Sequence, residues 1–125
     1  MGRKACLDTS FLIELVKGNP QTRLDIQKIE AEYALSTVTI FEMWAGKKTE
    51  ENLLAAISEF TLLDFNFESA KLAGTIYKEL RKRGVSLDMR DVFIAAICIK
   101  NNFELLTINK KHFQRIGEFG LVLAN

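Results

Sequence analysis

One histidine, two cysteines and one proline are all that 125 residues contain of these types, and 17 basic against 16 acidic residues nearly cancel to +1. Each shortage closes off a class of protein. The lone His112 cannot build a histidine-rich metal site, and a Ser-His-Asp triad would need it as the base, a role no neighbouring segment supports. It reads as a surface helix residue. Cys6 and Cys98 stand apart in apolar surroundings without metal-ligand spacing, so buried, reduced thiols are expected ahead of a disulfide. Balanced charge provides no global field for a polyanion, and any nucleic-acid contact must come from local clusters. The longest apolar run, Val92 to Ile99, is far too short to span a membrane. The apolar run near the N-terminus is stopped by Asp8 too early for a signal sequence. No repeat, low-complexity tract or linker interrupts the chain. A soluble, cytoplasmic protein with no membrane partner is expected.

What is present is ordinary globular composition, 48% apolar and 26% charged. It suits one domain over residues 1–125, large enough to hide roughly two thirds of its unfolded surface. The organising stretch is Lys4-Ala5-Cys6-Leu7-Asp8-Thr9-Ser10-Phe11-Leu12-Ile13. A short apolar run ends in an aspartate, and a helical apolar pattern begins. In a strand-to-helix unit that aspartate falls at the carboxyl end of the strand, where open α/β sheets bind their ligands.

In chain order, residues 3–8 read as a strand, and a helix through Phe11, Leu12, Leu15 and Val16 stops at Gly18-Asn19-Pro20. A second helix runs from Gln21 to Glu32 on Leu24, Ile26 and Ile29, and residues 33–38 form strand two. Such a helical crossover implies a parallel pair. A short helix over 39–46 follows, then one capped by Thr49 and carrying Leu53, Leu54, Ile57 and Phe60. Residues 61–65 read as strand three. Asn66 caps a long helix closed by Gly84, and Asp88 or Met89 opens a strongly apolar one. Residues 104–107 are strand four, Asn109 caps a helical turn, and Leu121-Val122-Leu123 is a candidate fifth strand. Alternating strands and helices predict a three-layer α/β/α fold on a mostly parallel central sheet.

Three acids then recur in similar places: Asp8 after strand one, Glu42 in the helix after strand two, Asp91 in the helix before strand four. Each has a plain alternative as a helix cap. Asp8 can bond the first free N–H groups, Thr39-x-x-Glu42 matches a capping box, and Asp88-x-x-Asp91 puts acids at a positive helix end. Together the caps explain less. Clustered carboxylates repel and need a cation, and an oxygen-only set suits Mg²⁺ or Mn²⁺, an ion that commonly meets phosphate.

The successive segments Leu7-Asp8-Thr9-Ser10-Phe11-Leu12-Ile13, Thr39-Ile40-Phe41-Glu42, Asp91-Val92-Phe93-Ile94-Ala95-Ala96 and Leu106-Thr107-Ile108-Asn109-Lys110-Lys111-His112-Phe113 resemble the motifs of the PIN-domain family. Length and order resemble its VapC-type toxins in particular. The resemblance implies a metal-dependent endoribonuclease leaving 5′-phosphate and 3′-hydroxyl ends, a VapB antitoxin as partner, and a homodimer. Asp8, Glu42 and Asp91 match its three principal acids. Its fourth position falls on Asn109, an uncharged ligand, which Asp88 either supplements or leaves alone as a cap. Thr9 or Ser10 could hold a metal-bound water or phosphate, and Thr107 matches a family hydroxyl near the site.

For RNA, Arg81, Lys82 and Arg83 close the long helix, where they either compensate its dipole or contact phosphate. Arg90 beside Asp91, with Lys47, Lys48, Lys110 and Lys111 after site segments, extends that choice. Phe41, Met43 and Trp44 read as core, and Leu12, Leu15 and Trp44 are candidates for an antitoxin groove. Two rival folds fit less well. A haloacid-dehalogenase phosphatase needs an acid where Ser10 stands, and a receiver domain needs a phosphoacceptor after strand three. A rival of another class is a PIN scaffold that binds RNA without cutting it. An RNA-processing nuclease outside a toxin pair is the remaining alternative.

Overall fold

The computed structural model describes residues 2–46 and 50–125. Four strands form one fully parallel sheet, β1 (Arg3–Leu7), β2 (Ala31–Ser36), β3 (Thr61–Leu63) and β4 (Glu104–Leu106), in the order β3-β2-β1-β4. Cys6 pairs with Ala34 on one side and Leu105 on the other, and Leu7 with Leu35 and Leu106. Because side chains alternate across a strand, these two rows face opposite ways. Cys6, Ala34 and Leu105 join a core with α5 (Phe67–Lys82) and α6 (Met89–Asn101). Leu7, Leu35 and Leu106 join a second core. Its covering helices are α1 (Thr9–Lys17), α3 (Thr37–Trp44) and α4 (Glu50–Ile57), and α2 (Pro20–Lys28) packs beside α1. The expected three layers are present. Both cysteines are free and buried, and no helix among the described residues is long and apolar enough to cross a membrane.

Several expected boundaries move, each for a local reason. The second strand ends at Ser36, not Val38, because the Ser36 hydroxyl accepts the Thr39 N–H at 3.1 Å and starts α3 at Thr37. The Thr39-x-x-Glu42 capping box is therefore absent, and Glu42 lies in the second turn. Helix α2 stops at Lys28, so residues 31 and 32 pair as strand instead, and Leu24 is exposed rather than core. The third strand ends at Leu63, where the Phe65 N–H turns to the Thr37 hydroxyl. The fifth strand reduces to one parallel bridge, Leu105 to Leu123, closed by Leu105 N–H on Val122 O and Ala124 N–H on Leu105 O, after which the Asn125 side chain turns to Thr107. Asn66 and Asp88 cap their helices through their side chains as expected. Asn109 precedes α7 (Lys110–Gln114) without a side-chain capping bond. Thr49, Lys47 and Lys48 lie outside the described residues.

The architecture delivers three strand ends to one edge. Asp8 N–H donates to Leu106 O at 3.1 Å, which carries the β1–β4 pairing one residue past the strands. Helix α1 closes on Gly18 in the left-handed region, φ 87°, and a Cβ there would stand 3.2 Å from Arg23 Nη2. Gly18→Ala is expected to lower stability by about 1–2 kcal/mol, measured by urea unfolding.

Candidate active site

Asp8 is the buried centre of the carboxyl edge, only 2% exposed. Its Oδ1 accepts the Phe11 N–H at 2.8 Å and the Ser10 hydroxyl at 3.1 Å, and its Oδ2 accepts the Thr107 hydroxyl at 2.6 Å. The capping alternative thus holds, and it does not use up the group: the same carboxylate is aimed into the crevice by three donors. Burial pushes its pKa up, the hydrogen bonds pull against that, and the nearby Asp91 charge adds to the rise. Thr107, fully buried after β4, also accepts the Asn109 N–H at 2.9 Å. The Asn109 amide donates to Ser10 Oγ at 3.3 Å. Ser10 and Thr107 therefore tie Asp8 to the segment after β4. The tail braces that segment in turn, with Asn125 Nδ2 donating to Thr107 O at 2.8 Å.

Glu42 is reached through hydroxyls of β2, α3 and α1. The Thr9 hydroxyl donates to Glu42 Oε1 at 2.8 Å, Thr39 Oγ1 lies 3.0 Å from Thr9 Oγ1, and Ser36 donates to Thr39 at 3.4 Å. A carboxylate only accepts, so the Thr9 proton is committed and Thr39 must donate to Thr9. Three hydroxyls point in sequence at one carboxylate oxygen. The other, Oε2, lies 3.5 Å from Arg90 Nη1. Arg90 also grips Asp88, through Nε at 3.1 Å to Oδ1 and Nη2 at 3.0 Å to Oδ2. That pair, with the Arg90 N–H on Asp88 Oδ1, lowers the Asp88 pKa, and Asp88 is spent on capping and on Arg90.

Asp91, half-buried in the first turn of α6, has Oδ2 2.9 Å from His112 Nε2. Burial raises its pKa, and His112 works against the rise. His112 is thus a site residue, not a free surface residue. α7 begins at the same edge as α6, one turn brings position 112 onto Asp91, and Phe113 fixes the ring edge-to-face at 5.4 Å. Only the strand-end position of its helix could have revealed this. The Ser36–Thr39 pair escapes sequence reasoning likewise, although the adjacent hydroxyls Ser36-Thr37 at the strand end repeat the Thr9-Ser10 pattern and mark the place. Nothing in the sequence marks Asn125.

Hydrogen bonds join Asp8 with Ser10, Thr107 and Asn109, and a second group joins Glu42 with Thr9, Arg90 and Asp88, while Asp91 bonds His112 and acts on Asp8 and Arg90 by charge. The structure does not bring in the end of α5. Arg83 pairs with Glu79 and Glu118, and Arg81 lies over the Tyr77 ring at 5.5 Å. Lys82 and Lys110 are exposed and make no ion pair among the described residues. Oxygen donors, and the Asp91 charge that adds to the rise of the Asp8 pKa, fit a hard divalent ion. As the side chains stand, no three Asp, Glu, His or Cys among the described residues converge on one point; Glu42 is engaged by Arg90 and Asp91 by His112.

An acid-lined crevice at the carboxyl edge of a parallel sheet with this strand order belongs to a known class: the PIN-domain model matches residues 5–118, and the chain belongs to that family. Its relatives are specific. Ribonuclease VapC1 of Methanocaldococcus jannaschii is 35% identical over 121 residues, 94% of this chain and 85% of the relative. Among solved structures, VapBC-1 from nontypeable Haemophilus influenzae is similar with a TM-score of 0.78 at 26% identity, covering 95% of each chain. A toxin–antitoxin complex from Klebsiella pneumoniae matches with the same TM-score and identity over 97% of this chain and 98% of that one.

Two outcomes test this network. Thr107→Val removes a buried donor to Asp8 and an acceptor for Asn109, and is expected to cost about 1–3 kcal/mol in urea unfolding, with Thr107→Ser recovering most of it. Asp91 is held above the ordinary carboxylate range, so the folded state keeps that proton longer than the unfolded chain, and stability falls as pH rises through that range. Without divalent ions, Asp91→Asn should melt above wild type at pH 7, the gap closing as pH drops below the ordinary carboxylate range. A variant that melts below wild type at pH 7 and gains nothing from acid would contradict this.

Proposed function

We propose that this protein is a Mg²⁺- or Mn²⁺-dependent endoribonuclease, the toxin of a VapBC-type toxin–antitoxin pair, cutting RNA by in-line hydrolysis. The observation that supports this is the charge proximity of Asp91 to Asp8, and of Asp91 and Glu42 to Arg90, in a chain similar over nearly its whole length to ribonuclease VapC1. Asp8 and Asp91 are the direct holders of the ion, with Glu42 and the amide oxygen of Asn109 beside them. Bound there, a divalent ion supplies polarisation of water and neutralisation of charge on the phosphate oxygens.

The protein's own groups do the rest. Asp8 is fixed by three donors, so it presents its carboxylate without rearrangement. Glu42, anchored by the Thr9 hydroxyl at one oxygen, keeps the other to orient a water. Thr9 and Ser10 position the two acids through their hydroxyls, and either can also hold a metal-bound water or a phosphate. Arg90 and Lys110 meet the backbone at the crevice, while the end of α5 stands apart, Arg81 lying over Tyr77 and Arg83 tied to Glu79 and Glu118. Phosphate contacts of this kind position the strand and are salt-sensitive.

The antitoxin surface lies on the other helical layer. Leu12, Val16, Ile40, Met43, Leu53 and Ile57 line an apolar pocket of about 180 Å³ between α1, α3 and α4. Of the residues considered from sequence, Leu12 lines it, Leu15 packs against the core below, and Trp44 is exposed at the end of α3. Phe41 is 63% exposed rather than core. The solved relatives, VapBC-1 and a toxin–antitoxin complex, support a VapB-type partner, and the apolar lining of this pocket is what suits it to an apolar antitoxin segment.

Purified protein, freed of antitoxin, is expected to cut a mixed structured and single-stranded RNA pool with Mn²⁺ or Mg²⁺ and not with EDTA. Asp91→Asn and Glu42→Gln should each lower the rate at least ~100-fold, the scale of losing a charge-stabilising group. Cutting that survives in Asp91→Asn would sink the assignment.

A further inference from the structure

We infer that Arg90 is a positioning residue that passes between Glu42 and the substrate phosphate, so that divalent ion and RNA each strengthen the other's binding. This rests on the nuclease reading above. The guanidinium uses Nε and Nη2 on Asp88, a two-point grip that fixes its plane. Only Nη1 is directed at Glu42, at 3.5 Å. That contact is long, and the Arg90 side chain is 51% exposed, the regime in which an ion pair is worth little and exchanges readily. On the other side, Glu42 has one oxygen fixed by Thr9, and among the described residues the other is answered by Arg90 alone.

Glu42 therefore stands in two states that differ by one partner. With Nη1 on Oε2, its charge is answered by the protein, a positive group sits beside the crevice, and the acids do not converge on a point among the described residues. A phosphate arriving at the crevice is a better partner for a guanidinium than one oxygen of a carboxylate already anchored elsewhere. If Nη1 turns to it while Asp88 holds the rest of the group, Oε2 is released toward Asp8 and Asp91. Asp88 is then the pivot of the arginine, a task beyond its capping of α6. By linkage, whatever factor RNA adds to ion affinity the ion adds to RNA affinity.

The test is Mn²⁺ binding to the full chain, followed by electron paramagnetic resonance of free Mn²⁺. It is run with and without a nuclease-resistant 2′-O-methyl phosphorothioate oligonucleotide, the oligonucleotide's own Mn²⁺ uptake being subtracted. Arg90→Gln is expected to bind Mn²⁺ about tenfold more tightly than wild type without oligonucleotide, the scale of removing one unit charge from beside a divalent ion near a protein surface. The oligonucleotide should tighten Mn²⁺ binding about five- to tenfold in wild type, at the lower end of ordinary coupling, and by less than twofold in Arg90→Gln. Lys100→Gln, the same charge change in the last turn of α6, should match wild type in both measurements. Arg90→Gln binding no tighter than wild type, or keeping the wild-type coupling, overturns the inference and leaves the nuclease reading standing. Wild type binding no Mn²⁺ under either condition overturns both.

Discussion

The structure turns on the burial of one carboxylate. Asp8 sits where β1 runs out, beneath the first turn of α1 and against the end of β4, and burying it is costly unless both its oxygens find donors. The chain satisfies that demand from three places at once: the N–H of Phe11, the hydroxyl of Ser10 and the hydroxyl of Thr107. Thr107 lies 99 residues away in sequence, so this bond forms only once β4 has docked beside β1. The same contact that makes the burial tolerable thus reports that the sheet is assembled. It explains why the segment after β4 is held so firmly, with Thr107 also bonded to the Asn109 N–H and braced by Asn125.

Much of this was legible in the sequence because the signals are local. A strand ending in Leu7-Asp8 and helix stops at Gly18 and Gly84 come from neighbouring residues, as does the Asn66 cap. The parallel sheet follows from helical crossovers. What was misread depended on tertiary partners or on one-residue choices between competing caps. Ser36 and Thr39 are both good N-caps, and only the structure shows that Ser36 takes the role and leaves Thr39 buried under Thr9. The tail looked like a strand from Leu121-Val122-Leu123, yet β4 is three residues long and offers it a single bridge. His112 looked like surface because helical periodicity says nothing of which other helix begins at the same edge.

The partners of the acids fall into two chemical kinds, and the difference matters for what the crevice can accept. Asp8 and one oxygen of Glu42 are held by hydroxyls and a backbone N–H, which fix geometry and remove no charge. Asp91 and the other oxygen of Glu42 are met by His112 and Arg90, groups that can carry charge and sit partly in solvent. Exposure makes those two contacts the exchangeable ones, because solvent screens the attraction and replaces it cheaply. The fixed bonds therefore set where carboxylate oxygens stand, while the exchangeable ones set how much negative charge is open to a ligand.

That division bears on a polyanionic substrate. Among the described residues Arg90 is the permanent cation paired with Glu42 and Asp88, and the four acids Asp8, Glu42, Asp88 and Asp91 leave this edge locally acidic although the whole chain carries +1. An RNA backbone approaching such an edge is repelled unless positive charge arrives with it or is released to meet it. A divalent ion supplies the first, and the one arginine whose outer nitrogen has only a weak partner supplies the second. The acidity that would exclude RNA from a bare crevice then ties its entry to the ion, which confines tight backbone contact to the state able to react.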